Sequence, residues 1–93
     1  VNVYNKIFEA VEKVPGASNP HRVRSRMIGN RYIITLDIEV NPQITITQAH
    51  EIAGAVEKSI ESSIDNVYDI LVHVEPAGEC QTDEKFGVDK DMV

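Results

Sequence analysis

Ninety-three residues, one cysteine and fifteen acidic against nine basic side chains give a single small domain with a net charge of −6. That balance argues against a nucleic-acid binder, which needs concentrated positive charge to displace counterions, and disfavours docking on anionic lipid. A lone Cys80 rules out an internal disulfide framework and any Cys-rich zinc site, and fits a reducing compartment. No stretch approaches the ~18 consecutive apolar residues of a membrane span, and no basic–apolar–small signal pattern opens the chain. A first residue of Val1 rather than Met is what a piece cut from a longer protein would show.

The first predicted element is a helix within Asn2 to Val14, with Val3, Ile7, Ala10, Val11 and Val14 spaced for one face. Pro15-Gly16 ends it. Two strands follow, His21 to Ile28 and Arg31 to Val40, joined by the hairpin signal Gly29-Asn30. The second alternates cleanly, with Tyr32, Ile34, Leu36, Ile38 and Val40 inward and Ile33, Thr35, Asp37 and Glu39 outward. In the first, Val23 and Met27 share a face and Arg22, Arg24 and Arg26 line the other. A register set by the turn pairs Ile28 with Arg31, Arg24 with Thr35 and Arg22 with Asp37.

Asn41-Pro42 breaks the strand, and Thr45-Ile46-Thr47-Gln48 has capping-box spacing. The helix it opens runs to about Ile64, with a stripe of Ile46, Ala49, Ala53, Val56, Ile60 and Ile64 flanked by Ile52. A third strand spans Val67 to Glu75, with Tyr68, Ile70, Val72 and Val74 inward and Asp69, Leu71, His73 and Glu75 outward. Pro76 stops it. Residues 1–76 form the domain, and residues 77–93 read as an acidic, mobile tail carrying Glu79, Asp83, Glu84, Asp89 and Asp91.

The order α-β-β-α-β gives one amphipathic sheet face and two helices to cover it. The fold class is therefore α+β: a two-layer sandwich with a three-stranded sheet, ferredoxin-like apart from its missing first strand. The other sheet face stays open, and homodimerisation is a natural use for it.

Phosphate-binding glycine loops, Cys-x-x-Cys, His-Glu-x-x-His and Gly-x-Ser-x-Gly are all missing. Histidines and carboxylates remain. His73 and Glu75 are two apart on one strand and so share its outward face, and Asp37 has outward parity on the second strand. His50 lies in the first turn of the second helix, and His21 in the loop leading into the first strand. Imidazole with carboxylate is a borderline ligand set that suits Zn²⁺, Co²⁺, Ni²⁺, Fe²⁺ or Mn²⁺. Each residue also has a plain structural role: Asp37 pairing with Arg22 across the hairpin, His73 and Glu75 solvated on a strand, His50 beside Glu51 on an acidic helix surface. The arginine row lacks the exposed aromatics of a sheet-based RNA reader.

The chain resembles the C-terminal cytoplasmic domain of the cation diffusion facilitator family, membrane exporters of divalent metal ions. The resemblance rests on Val14-Pro15-Gly16-Ala17, on His21-Arg22-Val23-Arg24-Ser25-Arg26 with Gly29, and on Tyr32 to Val40. Most specific is Ile46-Thr47-Gln48-Ala49-His50-Glu51-Ile52-Ala53 with Val56-Glu57, and Ile70-Leu71-Val72-His73-Val74-Glu75-Pro76 completes it, covering residues 1–77. It implies a regulatory module on the cytoplasmic face of a membrane, below a transmembrane transport domain of the same polypeptide. By the same resemblance the module is expected not to be an enzyme but to form a V-shaped homodimer that binds metal, draws its halves together and favours transport. The family's ligand positions fall on His21, Asp37, His50, His73 and Glu75. Asp37 stands where zinc-specific members often have His, and Glu75 where they often have Asp, so the set is oxygen-rich. The implied cofactor is a divalent transition metal, Zn²⁺ first, with Mn²⁺, Fe²⁺, Co²⁺, Ni²⁺ or Cd²⁺ within range. A free-standing ferredoxin-like domain for a small effector is the rival reading. An acylphosphatase-like hydrolase, which would need Arg22 and Asn30 on a phosphate, is a more distant one.

Overall fold

The computed structural model describes residues 2–78, so the acidic tail lies almost wholly outside the described residues. Five elements follow in the expected order: α1 (Val3–Glu12), β1 (Ser18–Ile28), β2 (Arg31–Val40), α2 (Ile46–Ser63) and β3 (Val67–Pro76). They build a three-stranded sheet in the order β1-β2-β3, with β1 antiparallel and β3 parallel to the middle strand.

Local chemistry sets the ends of each element. The Asn2 side chain accepts from the Tyr4 N–H at 2.8 Å and caps α1. For α2 the Thr45 hydroxyl accepts from the Gln48 N–H at 3.0 Å, and the Gln48 side chain accepts from the Thr45 N–H at 2.9 Å, completing the capping box. The parallel pairing of β2 and β3 demands a long crossover, and α2 supplies it.

The core lies between the sheet and the two helices. Ile7, Ala10 and Val11 of α1, Val56 and Ile60 of α2, Val23 of β1 and Ile34, Leu36 and Ile38 of β2 are all buried. At about 25 cal/mol per Å² of apolar surface removed from water, this layer is the main source of stability in so small a domain. The Ser59 hydroxyl donates to the Ala10 carbonyl at 2.7 Å and ties the two helices together.

Several expectations need correcting. β1 starts at Ser18 rather than His21, so His21 lies in a strand and not in a loop. Arg24 pairs with Thr35 and Ile28 with Arg31, as the turn requires, but Asp37 pairs with His21 instead of Arg22. The cause is a shift of register on each side of His21, where three residues of β1 oppose two of β2. Tyr68 is exposed rather than inward: Tyr32 pairs with Val67 and Ile33 with Asp69, so Tyr68 is the extra residue of a bulge. Met27 and Ile46 are also exposed, one at the hairpin end and the other at the first position of α2.

Gly16 has a φ of +92°, and a Cβ built there would lie 2.8 Å from Ile52 Cδ1. Gly54, inside α2, has nothing within 4 Å of such an atom. Gly16→Ala is expected to destabilise the domain by about 1–2 kcal/mol, through its left-handed backbone, and more if Ile52 must move. Gly54→Ala is expected to stabilise it by about 0.5–1 kcal/mol. Chemical denaturation of the two variants checks the opposite signs.

Candidate metal centre

The open face of the sheet carries the residues of interest, and the pairing brings them together. In the parallel β2–β3 ladder Asp37 lies beside His73, and Glu39 beside Glu75. On the other side of β2, His21 pairs with Asp37 and Ser18 with Glu39. Two rows therefore cross the three strands: His21–Asp37–His73 and Ser18–Glu39–Glu75.

Regular alternation would send His21 and Arg22 to opposite faces. The two bulges remove that constraint. Asn19 and Arg22 take left-handed backbone, with φ of +46° and +49°, and both His21 and Arg22 reach Glu75, while Val23 still enters the core. His21 Nδ1 donates to the Asn19 carbonyl at 2.7 Å. A carbonyl can only accept, so Nδ1 carries a proton; Nε2 lies 3.1 Å from Glu75 Oε1 and 3.9 Å from Asp37 Oδ2, where it donates to Glu75 in the doubly protonated ring and offers its lone pair to a metal in the neutral one. A backbone carbonyl that holds one ring nitrogen and aims the other is a common support for a metal-binding histidine.

His73 Nδ1 lies 3.6 Å from Asp37 Oδ1 and 3.9 Å from Glu75 Oε2. These separations are close to the ~3.4 Å edge of a tetrahedron with metal–ligand bonds of ~2.1 Å. Asp37, His73 and Glu75 therefore form one group whose ligand atoms lie within 4.8 Å of one another, and His21, Glu39 and Glu75 form a second. Glu75 belongs to both. The donor chemistry fits a borderline divalent metal: a nitrogen and two oxygens in the first group, and the same again in the second.

Of the five sequence-predicted ligands, four are gathered here: His21, Asp37, His73 and Glu75. His50, the fifth residue of α2, is exposed and joins neither group within one chain. Glu39, a member of the second group, is not among the sequence-predicted ligands; its outward parity two residues from Asp37 is the signal in the sequence that places it on this face. Arg22 does pair with Asp37, as its plain structural role suggested, with Nε 2.7 Å from Oδ2, and its Nη2 also donates to Glu75 Oε2 at 2.5 Å.

Burial and neighbouring charge push the two carboxyls in opposite directions. Burial raises Asp37 above the usual carboxylate value and the Glu75 charge adds to this, while Arg22 and His73 pull down without cancelling it. Burial also acts to raise Glu75, but the positive charge of His21 and Arg22 and the hydrogen bond from Arg22 outweigh it, and its carboxyl lies below the usual value.

The cytoplasmic-domain model of cation efflux proteins matches residues 2–77. This chain belongs to that family. It is 36% identical over 73 residues to the magnetosome protein MamM of Magnetospirillum gryphiswaldense, a match covering 78% of this chain and 23% of MamM. The first curated relatives are all much longer, and the chain spans 15–23% of their length. Among solved structures it resembles the metal-bound C-terminal domain of the CzcD transporter from Thermotoga maritima, with a TM-score of 0.80, 38% identity and 85% and 92% of the two chains covered. A cadmium form of a variant MamM C-terminal domain matches with a TM-score of 0.76 and 35% identity, over 80% of this chain and 92% of that one. These neighbours share the ferredoxin-like α-β-β-α-β sandwich described above. No helix among the described residues is long and apolar enough to cross a membrane.

The opposite carboxyl shifts generate a test in the metal-free domain. Asp37, with its raised value, costs the fold stability at neutral pH, and this cost disappears as pH falls to its unfolded value of ~3.9. Asp37→Asn is therefore expected to melt above the wild type at pH 7 in EDTA, with the gap closing toward pH 4. Glu75, with its lowered value, adds stability above its unfolded value of ~4.3 and loses it as pH falls through the lower folded value. Glu75→Gln is expected to melt below the wild type at pH 7, with that gap closing in acid.

Proposed function

We propose that this chain is the metal-sensing and dimerisation domain of a divalent-cation efflux transporter, regulating a transmembrane transport domain of the same polypeptide from the cytosolic side. The observation that carries this reading is the convergence of Asp37, His73 and Glu75 on the open face of the sheet at near-ligand spacing. The metal-bound C-terminal domain of CzcD and the cadmium form of the variant MamM domain support it as relatives of the same fold.

Each group offers three protein ligands, fewer than a closed structural site. His73, with a side chain 72% exposed, stands at the lip where another molecule can approach. A second copy would cover this face and supply further ligands, and His50, outside both groups within one chain, enters the set in that way. Metal shared between two copies draws them together, and that closure favours transport. Zn²⁺ is the leading ion, with Mn²⁺, Fe²⁺, Co²⁺, Ni²⁺ and Cd²⁺ acceptable to the same donors.

A metal held by β2 and β3 binds the folded state preferentially. Zn²⁺ at 100 times its dissociation constant should then add about 2.7 kcal/mol of stability. In a domain of this size each kcal/mol is worth about 4–8 °C in Tm, so the shift should be plain. His73→Ala is expected to abolish most of it, and Arg24→Ala to keep it. A melting curve that Zn²⁺ leaves unmoved counts against the site.

Dimerisation has its own check. Sedimentation equilibrium at high micromolar concentration with Zn²⁺ is expected to show a homodimer, and His73→Ala is expected to weaken it. A wild-type domain that stays monomeric with metal present would exclude the shared-site arrangement.

A further inference from the structure

Arg22 occupies the ground that a metal in the Asp37–His73–Glu75 group would need. Its Nη2 donates to Glu75 Oε2 at 2.5 Å, and Oε2 is the same oxygen that lies 3.9 Å from His73 Nδ1. Its Nε meanwhile lies 2.7 Å from Asp37 Oδ2, the oxygen behind the one that faces His73. One guanidinium thus engages both carboxylates, with its side chain 19% exposed.

The backbone is shaped for this placement. Arg22 has a φ of +49°, a conformation that a side chain with a Cβ adopts only where its surroundings enforce it. The bulge that imposes it lies between His21 and Arg24. A planar fork that satisfies two carboxylates at once is the particular capacity of arginine.

We infer that Arg22 is a tethered cation that fills the candidate metal centre in the metal-free domain, so that a divalent ion enters only by taking Glu75 Oε2 from its guanidinium. The inference rests on the metal-binding reading above. Two cations cannot share that oxygen closely, because each repels the other at a separation of a few ångströms in a partly buried site. Arg22 therefore stabilises the empty domain and raises the metal concentration at which the centre fills. It acts on affinity from inside the site without being a ligand.

The test compares wild type, Arg22→Gln and Arg22→Lys. The dissociation constant for Zn²⁺ is measured by chelator competition at pH 7.5, and Tm in EDTA. Arg22→Gln is expected to bind Zn²⁺ roughly tenfold more tightly, the scale of one charge-assisted hydrogen bond released. In EDTA it is expected to melt below the wild type. Arg22→Lys keeps the charge but cannot span both carboxylates, and a gain of about two- to fivefold is expected. If Arg22→Gln does not fold in EDTA, Arg22→Lys decides alone. Zn²⁺ affinity that is unchanged or weaker in a folded variant, against measurable wild-type binding, overturns the inference and leaves the proposed function standing. An absence of Zn²⁺ binding in every form, wild type included, overturns the proposed function first and the inference with it.

Discussion

A carboxylate on the middle strand of a small sheet cannot be left to itself, and Asp37 sets the terms for its surroundings. It is 9% exposed and is the buried charged residue among those described. Desolvating a lone carboxylate costs several kcal/mol unless charge and hydrogen bonds answer it. The answer comes from both flanking strands: Arg22 and His21 from β1, His73 from β3. Glu75 brings a second negative charge, which the same arginine meets. What would be a liability in a plain domain is here the nucleus of the candidate site.

The two layers divide the work. Residues that bury apolar surface point toward the helices, and the core they make does not involve the open face. That face can therefore carry charge and exposed imidazole without weakening the packing. Four of the five candidate ligands sit on rigid, hydrogen-bonded strands rather than on loops. Strand placement fixes side-chain direction to within the freedom of a rotamer, which ligand geometry requires.

Much of this was legible in the sequence, and the exceptions share a cause. The strict alternation of β2 placed Asp37 correctly, and the Gly29-Asn30 turn placed Arg24 opposite Thr35, because both readings use the period of two. The pairing failed at Arg22 because two bulges flank His21, and their left-handed residues are Asn19 and Arg22 rather than glycines. Without glycine at those positions no turn signal marks the irregularity. Tyr68 failed for the same reason: a bulge in β3 leaves no trace in hydrophobic spacing. The capping box at Thr45 was readable because it depends on side-chain chemistry at fixed spacing. Whether residues from distant strands converge is a matter of tertiary register, and that is why Glu39 lacked a role until β1 and β3 closed around β2.

An open three-stranded sheet leaves two free edges, and the bulges of β1 make them unequal. Along residues 18–24 the edge is broken twice, and within it Pro20 has no N–H to offer. Such an edge is a poor template for an incoming strand, because its donors and acceptors no longer fall at a regular repeat. From Ile33 to Val40 the pairing with β3 is unbroken, so β3 keeps the straighter outer edge. The irregularity that delivers His21 and Arg22 to the site also spares one side of the domain from the unwanted edge-to-edge growth that threatens small β-rich proteins.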